Sequence, residues 1–167
     1  MPTVEVWLNG PVGGVPPLLQ PVAHGLLQCS EEVESLLAGM EPARIWAPAN
    51  GAASVGFHVR HAMGALDRLF TYARGALLSD GQKQVLAQES APDPDLTADD
   101  LASAFAAAVT RALDQLRATP ESTLTAPRTV GRAQLPSTVI GLLFHAAEHT
   151  QRHVGQAVTT KKITGAG

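Results

Sequence analysis

The sequence is poor in aromatic residues and nearly devoid of cysteine. Phe, Trp and Tyr together make up 4% of its 167 residues while hydrophobic residues make up 45%. A core must therefore be assembled mainly from alanine and aliphatic side chains, a composition that favours packed helices over a sheet. One cysteine, Cys29, excludes an internal disulfide. No basic residue precedes Arg44, so the positively charged start of a secretory signal is missing. A run of about 18 apolar residues, long enough to span a bilayer, is missing too. Nor does charge of one sign dominate: 12 Lys+Arg stand against 15 Asp+Glu, for a formal charge of −3, and the charges are dispersed. That excludes the basic footprint of a nucleic-acid-binding surface and the basic face of a membrane-seeking one. Together these absences point to a reducing, cytoplasmic setting and to a single domain over residues 1–167, long enough to bury a core.

What is present is a set of long amphipathic segments. Residues 1–15 are rich in Gly and Pro and read as an irregular N-terminal strap, extended around Val4, Val6, Trp7 and Leu8. From residue 16 to 162 the pattern is helical. Leu19, Val22, Leu26, Cys29, Val33, Leu36 and Met40 recur at steps of three and four, which predicts a first helix stopped by Gly39 and Pro42. Cys29 lies inside this line and reads as a buried small hydrophobe. A second helix is expected from about Ser54 to Gly75, with Val55, Val59, Ala62, Leu66, Leu69 and Ala73 inward. Ser79 caps a short extra helix to Glu89, and Thr97 with Asp100 forms a capping arrangement for a third long helix that ends near Ala118. Residues 121–134 read as irregular, or as a small hairpin around Gly131. Pro136 and Ser137 open a last helix reaching about Thr160, where Lys161 and Lys162 suit the helix dipole. Four long helices without strand alternation predict an all-α, antiparallel four-helix bundle.

Five of the six histidines fall in two clusters: His58 and His61 on the second helix, and His145, His149 and His153 on the last. Histidines four apart share one helical face and can bite a single ion. At 1.5 Å per residue His145 and His153 are about 12 Å apart, so the candidate chelates are His145/His149 or His149/His153. A third ligand would come from His58 or His61, of which His58 lies nearer the apolar line. Three protein ligands and an open position are the pattern of a catalytic metal site. The glutamate of a HExxH metallopeptidase is missing, since His145 is followed by Ala146 and His149 by Thr150. Spacing alone leaves packed or surface histidines as the alternative to a metal site.

Two stretches, SVGFHVRHAMGALDRLFTYARG over residues 54–75 and HTQRHVGQ over residues 149–156, carry a resemblance. A histidine in the second helix followed by H-x3-H-x-Gly-Gln in the final one resembles the DinB superfamily, the DinB/YfiT-like four-helix bundles, and the likeness runs from about residue 16 to 162. The resemblance implies a divalent metal ion, usually zinc or nickel, held by three histidines. By position these are His61, His149 and His153; Arg152 stands where the family often has an aromatic. The remaining two clustered histidines, His58 and His145, are then packed neighbours or, as candidates only, catalytic proton carriers. Gly155 would allow close backbone approach beside the site, and Gln156 could orient a ligand. Trp46 and Tyr72 could line a pocket mouth or belong to the core. Glu148 and Arg152 read as a surface ion pair.

Characterised relatives include transferases that use low-molecular-weight thiols such as bacillithiol or mycothiol, so the resemblance implies a thiol transferase or hydrolase acting on a small-molecule substrate. The alternative is a non-catalytic metal-binding module of a stress response or interaction. Relatives often dimerise, which makes a homodimer a further expectation.

Overall fold

The computed structural model describes residues 4–165. Its order is α1 (Gln20–Leu37), a short α2 (Pro42–Ile45), α3 (Val55–Ala73), α4 (Asp80–Gln88), α5 (Ala98–Arg117), β1 (Pro127–Val130), β2 (Leu135–Thr138) and α6 (Val139–Ile163). The apolar line of the first helix is buried as the period requires, with Leu19, Leu26, Cys29 and Val33 nearly inaccessible to solvent. Leu66, Leu101, Phe105, Leu116 and Leu143 complete the same core from α3, α5 and α6. No helix among the described residues is long and apolar enough to cross a membrane.

The four long helices form a bundle in which α3 packs against α6 and α5, and α1 packs against the same two. α1 and α3 are therefore diagonal to each other. Contacts between Gly25 and Gln151, and between Leu36 and Lys161, run in the same sense along α1 and α6, so these two are parallel. α3 and α6 are antiparallel, because His58 meets His153 while His61 meets His149. That antiparallel pair brings the two histidine clusters together.

Start signals act where side chains can reach freed backbone donors. Ser54 accepts from the Phe57 amide at 3.1 Å, and both Ser79/Gln82 and Thr97/Asp100 close reciprocal capping boxes.

Three local expectations change. Val6–Asn9 coil into a 3₁₀ turn instead of an extended strap, with Val6 buried against α1 and Trp7 and Leu8 exposed; Met1–Thr3 lie outside the described residues. Pro42 begins α2, where its missing N–H costs nothing. Pro136 and Ser137 belong to β2, paired with Thr129 and Arg128 of β1, and Thr138 caps α6 instead. Gly131 and Gln134, both at positive φ, make the turn of this hairpin. Lys161 and Lys162 stand in the last turn of α6 as expected, and Lys161 Nζ in addition donates to the Leu36 carbonyl at the end of α1, at 2.7 Å.

Candidate metal centre

His61, His149 and His153 each offer a nitrogen within 4.8 Å of those of the other two, and all three side chains are half-buried. The 3.1 Å between His61 Nε2 and His149 Nε2 compares with about 3.4 Å between ligands of a tetrahedral zinc with 2.0–2.1 Å bonds. Small side-chain movements would bring all three nitrogens onto one ion. Among the described residues no fourth His, Cys, Asp or Glu joins the group. The donor set is thus three imidazoles, which could hold a divalent transition-metal ion.

Each of the three histidines has a defined surrounding. The His153 and His58 Nδ1 atoms are 3.1 Å apart, and a His153 that donates its Nδ1–H to His58 keeps the Nε2 lone pair for a ligand role. Phe57 stacks on His61 with ring centroids 5.4 Å apart and planes 11° from parallel, and meets His58 edge-on. On its far side, His61 Nδ1 lies 2.8 Å from Glu89 Oε2, and Glu89 is also held by Arg68.

Burial and mutual repulsion lower three rings, His153, His149 and His58. Burial first, then neighbouring His61, His149, His58 and Arg152, push His153 down to about 4. His149 is lowered by burial, then by His61, His145 and Arg152, against a small opposing effect of Glu148. His58 is lowered by burial and by His61. At neutral pH these rings therefore hold free lone pairs, the form in which imidazole binds metal.

Both helix-two histidines face α6, since one turn of helix separates them by only part of a circle. His61 reaches both His149 and His153, whereas His58 is buried and reaches His153 alone. His58 thus touches His153, one of the three clustered histidines, directly. His145 is exposed beside His149, with ring centroids 5.5 Å apart, and its Nδ1 lies 3.3 Å from Glu148. The Glu148–Arg152 pair forms as an exposed i, i+4 contact.

The four other residues singled out near the histidines, Gln156, Gly155, Tyr72 and Trp46, take the following places. Gln156 is exposed and makes no side-chain hydrogen bond among the described residues. Gly155 is exposed with nothing within 4 Å of where a Cβ would stand, so no backbone approaches there. Tyr72 follows His61 by eleven residues, about 16 Å along α3. It lines a separate cavity of about 280 Å³ with Gly75, Leu77, Arg128 and Gln134. Trp46 does lie at the histidine end of α3, but as packing: a Cβ on Gly56 would stand 2.7 Å from its ring, and the Arg60 guanidinium covers it at 5.4 Å.

Two residues of the site escape the sequence pattern. Phe57 looks like any apolar residue of a helix N-terminus, although its aromatic character two and four positions from Val55 and His61 is a weak signal. Glu89 stands at the end of a polar segment, SDGQKQVLAQE, that reads as solvent-exposed throughout.

A family model described as the DinB superfamily matches residues 25–157. Among solved structures, a conserved protein from Enterococcus faecalis is 22% identical, with a TM-score of 0.72 over 87% of this chain and 96% of its own. A DinB-like protein from Bacillus cereus is 15% identical, with a TM-score of 0.63 over 84% of this chain and 91% of its own. At these identities the two likenesses speak to the fold alone. A search of curated proteins finds no match.

Proposed function

The chain belongs to the DinB superfamily, and from that premise we propose a metal-dependent enzyme, a thiol transferase or hydrolase, whose divalent zinc or nickel ion is held by His61, His149 and His153. The observation that carries this reading is the meeting of three imidazole nitrogens, with no fourth His, Cys, Asp or Glu among the described residues, on the half-buried face between α3 and α6. A divalent ion bound there would supply Lewis-acid activation of a thiol or a water. The chain's own residues do the rest. His58, by accepting from His153 Nδ1 across the 3.1 Å contact, would leave His153 Nε2 free for the ion. Phe57 covers one face of His61 and keeps water off it. His145, exposed beside His149 and next to Glu148, is placed to pass a proton to solvent.

The expected partners are a small electrophile and a low-molecular-weight thiol, in a cytoplasmic setting, with a homodimer as the assembly to be tested by sedimentation. The first experiment is metal analysis of the purified protein and of His149→Ala and His153→Ala. Stoichiometric zinc or nickel in the wild type and its loss in both variants is the expected result; full metal content in both variants would sink the chelate. Turnover is then screened with a panel of thiols and with simple esters and amides. Tight metal binding without turnover of any of them would favour a non-catalytic binding module.

A further inference from the structure

α4 buries none of its residues from Asp80 to Gln88, yet the residue that follows, Glu89, is only 3% accessible. Its carboxylate receives both terminal nitrogens of Arg68, which is itself buried, and lies 2.8 Å from His61 Nδ1. Burying such a pair rarely adds stability, because desolvation of two charges offsets their attraction. α3 is nevertheless shaped to admit it. Gly64 faces the carboxylate, where a Cβ would overlap Glu89 Oε1 and stand 2.7 Å from Arg68 Nη1.

The pairing has a chemical consequence at His61. The Arg68 guanidinium is a cation, so Glu89 faces positive charge on one side. Its other side offers a strong acceptor to Nδ1. A neutral imidazole carries one N–H, and placing it on Nδ1 leaves the lone pair on Nε2, the atom that meets His149. We propose that Glu89, clamped by Arg68, is a positioning residue of the metal centre: it locks His61 as the Nδ1–H tautomer, aims Nε2 at His149 and His153, and so tightens the binding of a divalent cation. This role rests on the metal reading above. Loss of an outer carboxylate partner to a ligating histidine typically weakens metal binding by about 10- to 100-fold.

The test has two readouts besides activity. Long-range ¹H–¹⁵N NMR of the metal-free protein reports the His61 tautomer, and zinc titration against a chromophoric chelator reports affinity for wild type, Glu89→Gln and Glu89→Ala. Glu89→Gln keeps the shape and a hydrogen-bond acceptor but removes the charge, so it is the variant best able to fold. The expected result is Nδ1–H for His61 in the wild type, with zinc affinity about 10- to 100-fold weaker in Glu89→Gln and at least as weak in Glu89→Ala. A change in the visible spectrum of the Co²⁺-loaded Glu89→Gln protein should accompany it. Affinity within threefold of wild type in Glu89→Gln would overturn the role, whatever that variant's melting temperature. So would an Nε2–H tautomer in the wild type, a measurement that needs no variant. Wild-type protein that binds no divalent ion would overturn the metal reading itself, and the positioning role with it.

Discussion

Single residues at the histidine end of α3 are constrained by what approaches them, and glycine shows this most directly. Gly64→Ala would drive a methyl group into the Glu89 carboxylate and the Arg68 guanidinium. Overpacking of this kind costs about 1–3 kcal/mol, so urea unfolding of Gly64→Ala should give a lower midpoint. Gly155→Ala, on an open helical surface, should do the opposite and add up to about 1 kcal/mol through helix propensity. Cys29 is a third case. Burial, with a smaller contribution from Glu32, pushes its thiol up to about 12. The native protein should then resist thiol-reactive reagents at pH 8 and react with one equivalent only on unfolding.

Elements differ in what holds them, and α4 and α5 make the contrast. α5 buries Leu101, Phe105, Val109 and Leu116, so its formation is tied to the whole core. α4 buries none of its own side chains and is held by polar ties: Gln82 to Asp67 at 2.6 Å and to Thr71 at 2.8 Å, and Glu89 just beyond its end. Equivalent cap removals should therefore read out differently. Thr97→Ala loses the bond to the Asp100 amide and should lower global stability by about 1 kcal/mol in urea. Ser79→Ala loses the matching bond to the Gln82 amide, but its effect should appear as faster hydrogen exchange confined to α4, with the global midpoint almost unmoved.

At the scale of the whole molecule, the buried histidines couple stability to pH and to metal. In the unfolded chain histidines titrate near about 6.5, whereas His153 in the fold stays neutral down to about 4, and His58 and His149 are lowered in the same direction. Between those values the unfolded state binds more protons, so stability is fully present above about pH 6.5 and is lost as pH falls toward 4. Thermal melts of metal-free protein from pH 7.5 to 4.5 should show this decline, and His153→Ala should flatten it. Zinc at a hundredfold excess over its Kd should add about 2.7 kcal/mol at neutral pH. A chelator should return the midpoint to its metal-free value.

Much of the fold was legible before any packing was known. The helical period of α1, α3, α5 and α6, the caps at Ser79 and Thr97, the hairpin around Gly131 and the shared face of His149 and His153 all follow from interactions within a few residues of sequence. Less legible were the places where a distant partner decides. The direction of α1 along α6, the position of Tyr72 in a cavity away from the histidines, and the turn of Gln156 and Gly155 to solvent depend on which helices are neighbours. Glu89 is the clearest instance. No local pattern separates it from the exposed residues before it, because its burial comes from α3, through Gly64, Arg68 and His61, 21 to 28 residues away in sequence. The sequence by itself determined the helices and the faces that carry the histidines, since period and capping act locally. The tertiary structure alone decided how those faces meet and which carboxylate stands behind them, since that depends on contacts between residues far apart in the chain.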